Sequence, residues 1–255
     1  MSKEELSVPF SSIPANDVLF LMTAGLLVTG IVAGLLAGLL GVGGGIVIVP
    51  VLFLLFSYLD VPDSIIMHMA VATSLATIIP ISLSSAREHY RRGAVDLDVF
   101  RHWSPFMLVA AGLAAAVSGN FDSQYLQLLF GGIAIYVALT MIRGRTSAAD
   151  AAPDTSRIAD AGRGIRGGII SALIGAASSL MGIGGGSIAV PVLSALALPV
   201  HRAVGTAAPF GFLIAVPGAL GFIWAGLGVD GRLPFSLGFV NLPAAIIIFS
   251  TSLFT

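Results

Sequence analysis

Two glycine clusters hold the residues of this chain best suited to chemistry. Gly41, Gly43, Gly44 and Gly45 form the first, in the run Gly-Val-Gly-Gly-Gly-Ile-Val-Ile-Val-Pro that ends at Pro50. Gly182, Gly184, Gly185 and Gly186 form the second, in Gly-Ile-Gly-Gly-Gly-Ser-Ile-Ala-Val-Pro, ending at Pro191. The offset stays at 141 residues, from Gly41 and Gly182 through to Leu52 and Leu193. The chemistry open to such a segment is anion binding. Glycine lets the backbone turn several N–H groups toward one point, and the N-terminus of a following helix adds a partial positive charge. The competing reading is close packing of helices through small residues, which is common in membranes. Soluble phosphate motifs do not fit. No Lys-Ser/Thr follows either cluster, and Ile46 and Ser187 stand where a dinucleotide fingerprint needs its third glycine.

Fewer polar residues accompany them. His68-Met69-Ala70-Val71-Ala72-Thr73 resembles His201-Arg202-Ala203-Val204-Gly205-Thr206. Each histidine could bind an anion or carry a coupled proton, because imidazole titrates near neutrality. Each could equally begin a helix at the membrane interface. Two histidines without a carboxylate nearby make a poor metal site, and no cofactor is called for. Thr73, Ser74 and Thr206 could offer hydroxyls to a substrate or bond back to their own helices. Pro50, Pro191, Pro80, Pro209 and Pro217 read as kinks or hinges. Arg202 reads as a snorkelling interfacial residue rather than a substrate counter-ion.

The elements that must position these residues are membrane spans. The chain has 255 residues, 56% hydrophobic and 10% charged, and a mean hydropathy of +1.00. A soluble domain carries about 25% charged residues. No Asp, Glu, Lys, Arg or His occurs in 18–59, 103–121, 123–142, 167–200, 203–229 or 233–255, and 64–86 holds only His68 of these types. A helix needs about 20 apolar residues to cross a bilayer. The fold class expected is an all-α integral membrane protein. It is a polytopic helical bundle of two repeated halves with glycine-broken helices. The net charge of −1 gives no case for nucleic acid. The absence of cysteine excludes disulfides, thiolate chemistry and cysteine metal sites. The first apolar run, 18–40, is longer than a signal-peptide core of about 7–15 residues. Intramembrane catalysis has few candidate groups, since the spans lack carboxylates and cysteine, so an enzyme is not expected.

The expected organisation is an N-terminal tail over 1–17, a first transmembrane repeat over 18–143, a cytoplasmic linker over 144–165 and a second repeat over 166–255. The pieces after the glycines, 46–59 and 187–198, reach only about 21 and 18 Å at about 1.5 Å per residue, short of a bilayer of about 30 Å. If each glycine segment turns back, an odd number of spans remains per half and the halves are inverted; if each crosses, they are parallel. Inversion is the favoured expectation. Downstream, Gly93-Ala94-Val95-Asp96 pairs loosely with Leu227-Gly228-Val229-Asp230, and Pro105 with Pro243. The first half continues with the span 123–142, and no counterpart follows in the second half before Thr255. A native chain longer by one hydrophobic helix is therefore expected.

The doubled Gly-x-Gly-Gly-Gly-x-x-x-x-Pro pattern, each copy followed by His-x-Ala-x-x-Thr, resembles the sulfite exporter TauE/SafE family of membrane transporters. The resemblance covers about 18–255. It implies a secondary carrier of small anions in the cell membrane, with sulfur-containing oxyanions or organosulfonates as cargo and a proton or sodium as candidate coupling ion. An anion channel and a small-carboxylate transporter are the alternatives.

Orientation can be tested directly. Nine of the twelve cationic residues, Arg87, Arg91, Arg92, Arg101, Arg143, Arg145, Arg157, Arg163 and Arg166, lie within 87–102 and 143–166. The positive-inside rule puts both segments in the cytoplasm. In intact cells, a membrane-impermeant maleimide should leave Asp98→Cys and Ser147→Cys unlabelled and label Asp63→Cys. Outside labelling of the first two would reverse the orientation.

Overall fold

The computed structural model describes residues 15–40, 44–144, 164–196 and 198–252. Gly41, Gly43, the N-terminal tail and most of the linker lie outside them. The described chain is nearly all helix: α1 (Ala15–Leu40), α2 (Gly45–Tyr58), α3 (Ile66–Arg91), α4 (Leu97–Ala116), α5 (Ser123–Gly144), α6 (Ile165–Met181), α7 (Gly186–Ala195), α8 (Val200–Ala225) and α9 (Leu242–Ser252). Among the described residues, α3 and α8 are long and apolar enough to cross a membrane.

Two boundaries differ from expectation. The basic stretch 87–102 is not a loop. α3 runs on to Arg91, and His89 and Arg91 occupy its last turn, where cations favour the negative end of the helix dipole. Only five residues, 92–96, join α3 to α4. The charge-free run 233–255 is not one span either. It opens with an antiparallel hairpin, β1 (Ser236–Leu237) against β2 (Val240–Asn241), and only then enters α9. This hairpin is a small departure from an all-α fold.

The helices before and after the linker interleave. α4 packs on α6 and α8, while α9 packs on α1 and α3, and α3 lies along α8. Two apolar clusters result. One gathers α1, α2 and α3 with Ala215, Ala219 and Phe222 of α8, Phe239 and Ile248. The other gathers Trp103 and Met107 of α4 with Ile174, Ile188, Phe210 and Ile214. Lipid tails are as apolar as leucine, so helices associate there by close contact through small residues. A Cβ added to Gly175 would lie 2.6 Å from the Met107 carbonyl oxygen, and one on Gly221 would lie 2.5 Å from the Ala115 Cβ.

These contacts separate packing glycines from spare ones. Gly221→Ala should destabilise the protein by about 1–3 kcal/mol through overpacking. Gly132→Ala, with no atom within 4 Å of the new Cβ, should be neutral or stabilising by up to about 1 kcal/mol, the helix penalty of glycine. Thermal unfolding in detergent measures both. Equal losses would show that the α4–α8 contact is not specific.

Candidate functional site

The second glycine segment is fully described. α6 ends at Met181, and Gly182 terminates it with φ 67°. The Gly182 N–H donates to the Ser179 carbonyl and the Ile183 N–H to the Ser178 carbonyl, each at 3.2 Å. Gly184 follows with φ 62°. Both positions sit in the left-handed region that side chains disfavour, so glycine is needed at each. α7 then starts at Gly186, and residues 181–189 are all buried.

Three helices close on this segment. Ser74 of α3 donates its hydroxyl to the Gly182 carbonyl at 2.7 Å. Ile78 of α3 lies over Gly184, and Phe210 and Ile214 of α8 lie over Gly185. Gly45, the first residue of α2, abuts the backbone of Gly182 and Ile183; a Cβ there would lie 2.6 Å from the Ile183 Cα. The described parts of the two glycine segments therefore meet inside the protein. Gly44, with φ 70°, precedes α2, and its carbonyl accepts from the Val47 and Ile48 N–H groups at 3.0 and 3.2 Å.

The first N–H groups of α2 and α7 have no partner within their own helices, and each N-terminus carries part of a helix dipole. Those are the ingredients of an anion site, and they stand in a tightly packed setting. A Cβ on Gly44 would lie 2.8 Å from the Ala33 carbonyl oxygen, and one on Gly185 would lie 2.6 Å from Ile214. Bulk at either glycine would disturb packing as well as any ligand. Ser74 is the cleaner probe, since removing its hydroxyl takes away the bond to the Gly182 carbonyl without adding bulk.

Thr73 and Thr206 do not join this centre. Each accepts a backbone N–H from a residue that begins a distant helix. Thr206 Oγ1 accepts from Asp96 at 2.8 Å, and Thr73 Oγ1 accepts from Asn241 at 3.0 Å. Asp96 in turn accepts from the Asp98 and Val99 N–H groups and caps α4. Asn241 accepts from the Ala244 N–H at the start of α9. Asp96 and Asn241 thus make the same kinds of contact at the starts of α4 and α9. The sequence carried that signal in Gly93-Ala94-Val95-Asp96-Leu97 and Gly238-Phe239-Val240-Asn241-Leu242.

The histidines lie at opposite ends of the bundle. His68 is buried, 2% exposed, with Nε2 3.0 Å from the Ser118 carbonyl oxygen. His201 is exposed at the start of α8, beside Arg202, whose guanidinium is 3.7 Å from the Asp96 carboxylate. Arg202 therefore has a protein partner at the helix end. Pro50, Pro80, Pro191, Pro209 and Pro217 all lie inside helices. Among the described residues, no group of three or more His, Cys, Asp or Glu side chains could hold a metal ion.

Comparison with known proteins gives a consistent picture. The sulfite exporter TauE/SafE family model matches residues 26–255. A protein of Haemophilus influenzae named "Probable membrane transporter protein" is 36% identical over 233 residues, covering 90% of this chain and 84% of its own length. A Bacillus subtilis protein named "Probable membrane transporter protein YunE" is 31% identical over 220 residues, 79% of this chain and 78% of its own. A similarly named Methanocaldococcus jannaschii protein is 29% identical over 236 residues, 88% and 79% of the two chains. No solved structure matches the chain.

The two threonine contacts make a stability prediction. Thr73→Val leaves a buried N–H without its acceptor and Thr206→Val a part-buried one, each at a cost of about 1–3 kcal/mol, with the smaller loss at Thr206. Thr73→Ser and Thr206→Ser restore the oxygen and should recover most of the loss. The sites share no partner, so the double valine variant should lose the sum. Thermal unfolding in detergent reads all five proteins. Serine variants as unstable as the valine ones would assign the loss to the methyl group instead.

Proposed function

The chain belongs to the sulfite exporter TauE/SafE family and is a membrane transporter, and from that premise we propose that it carries small sulfur-containing oxyanions or organosulfonates by alternating access. The observation that carries this reading is the meeting of Gly45 with Gly182 and Ile183 in the buried interior, where α2 begins and the segment leading into α7 lies. A sulfite or sulfonate group offers three oxygens to convergent N–H donors. Neutral donors in a dry setting act strongly, because low dielectric raises the value of each contact. They also leave no fixed cation to hold the anion permanently.

In this reading the halves are inverted repeats and the protein is a multi-pass protein of the plasma membrane. Support comes from α3 and α8, which carry the two His-x-Ala-x-x-Thr motifs. Gly205, near the start of α8, lies against Ala94, just past the end of α3. Phe222, near the end of α8, lies 6.4 Å from His68, near the start of α3, measured between ring centroids. The two helices run in opposite directions, as equivalent elements of inverted halves must. Threonine contacts of the same kind stand at each end. Alternating access then moves one set of interleaved helices against the other around the glycine centre, with the prolines inside α2, α3, α7 and α8 as bending points.

Reconstitution in liposomes tests the proposal. Uptake of labelled methanesulfonate should saturate, should be accelerated by unlabelled methanesulfonate or sulfite inside, and should be little affected by acetate. Ser74→Ala frees the Gly182 carbonyl that α3 holds in place. It should raise the half-saturating concentration about fivefold to tenfold, the equivalent of roughly 1–1.4 kcal/mol of a lost hydrogen bond, in a protein that still unfolds cooperatively. Non-saturating flux without counterflow would identify a channel. Stronger competition by acetate than by sulfite would identify a carboxylate carrier.

A further inference from the structure

His68 is set apart from every other ionisable residue described. Among the described residues it is the only ionisable side chain in the buried interior, at 2% exposure. Its Nε2 lies 3.0 Å from the Ser118 carbonyl oxygen. A carbonyl can only accept, so in the neutral ring Nε2 carries the hydrogen and Nδ1 is a bare acceptor. That Nδ1 is buried with no hydrogen-bond partner, and so is the hydroxyl oxygen of the same Ser118. Leaving a buried polar atom unmet costs about 1–3 kcal/mol. Two such atoms on residues joined by one hydrogen bond need a reason.

The surroundings supply the route for one. Ser118 belongs to a short turn of 3-10 helix, Ser118–Asn120, which leads into the turn before α5 on the side away from the arginine-rich ends. Phe121 and Asp122 follow it, both exposed, in the link to α5. From α5, Ser123 accepts the Met67 N–H at 3.1 Å. From α8 and the hairpin, Phe222 and Phe239 pack on the ring, the latter with centroids 5.1 Å apart. One edge of the ring is fixed on the Ser118 carbonyl, the other is an empty acceptor, and the exposed carboxylate of Asp122 follows Ser118 in the same connection.

We propose that His68 is the proton site of the transporter, taking one proton at Nδ1 for each anion carried. This rests on the anion-carrier reading above. An N–H bond forms at Nδ1 as the proton arrives by way of Asp122, and the imidazolium holds its Nε2–H on Ser118. The bond breaks when the proton leaves on the other side, and no other bond changes. A monoanion moving with one proton is electrically neutral overall. Phe239 couples the site to the rest of the bundle, because the hairpin that carries it also brings Asn241 to Thr73.

The test uses methanesulfonate, the anion of a strong acid, which carries no proton of its own near neutral pH. Liposomes containing the full chain and a trapped pH dye are given labelled methanesulfonate under an imposed pH difference. Wild type should acidify the lumen as the anion enters and should accumulate it up to about tenfold per pH unit, the limit for one proton. His68→Gln keeps an N–H for the Ser118 carbonyl but cannot take a proton. It should retain methanesulfonate counterflow and lose both acidification and pH-driven accumulation. His102→Gln, on α4 at the other end, should behave as wild type. Proton-coupled uptake by His68→Gln equal to wild type would overturn the assignment, as would wild-type counterflow with no proton movement. Absence of wild-type counterflow would instead overturn the carrier reading beneath it. If His68→Gln fails to fold, proton uptake by wild type on methanesulfonate binding in weakly buffered detergent decides: one proton per anion supports the site, and none refutes it.

Discussion

A carbonyl freed by a helix break in an apolar interior has to find a donor, and this one condition organises the centre of the molecule. At the end of α6 the backbone turns through Gly182 and Gly184, and the Gly182 carbonyl no longer points along a helix. Ser74 of α3 meets it at 2.7 Å. That bond joins residues 108 positions apart and fixes where α3 must lie. Gly45 can then press its backbone onto Gly182 and Ile183, because neither Gly45 nor Gly182 has a side chain in the way. In hydrocarbon no water can stand in for a missing partner, so irregular backbone survives only where protein surrounds it. The burial of 181–189 is the condition for having a break there at all.

The same rule explains why α3 and α8 are each held near their starts. A helix start leaves N–H groups unpaired, and the residue before it usually supplies a side-chain acceptor. Asp96 and Asn241 do this for α4 and α9. Their own N–H groups, which now lie within the bundle, are taken by Thr206 and Thr73. Each threonine thus accepts from a residue that caps another helix, and each bond crosses between the segments on either side of the linker. Interleaving follows from this exchange: α4 cannot leave α8, nor α9 leave α3, without stranding a donor.

Much of this fold was legible in the sequence because burying charge in hydrocarbon is costly enough to leave a record. The runs free of charge mark α3, α5 and α8 to within a few residues, and the glycine clusters mark where α2 and α7 begin. Two things were hidden. The hairpin sits in a run, 233–255, whose apolar composition reads as a span at any window; only Gly238 hints at a turn. The partners of Thr73 and Thr206, 168 and 110 residues away, are invisible to any local pattern. Loose matching of acidic residues pairs Asp96 with Asp230, whereas the common feature is a short capping side chain after valine, Asp in one place and Asn in the other. Of the candidate site residues, Ser74 and the described glycines come together. The two histidines do not, because the helices that carry them run in opposite directions.

That last point bears on how a site of this kind could work. If the two histidine motifs occupied one end, their imidazoles would meet, and a proton on one would oppose a proton on the other. Placed at opposite ends they are not equivalent. His68 is sealed between Phe222, Phe239 and the Ser118 carbonyl, whereas His201 lies in the open beside Arg202 and the Asp96 that pairs with it. With two identical ends, the inward and outward states would answer equally to a proton, and a gradient could still drive flux but no residue would set where the proton is held. One imidazole is buried among aromatic rings and the other stands at an exposed helix start. The two rings therefore differ in what covers each rather than in the motif that carries it.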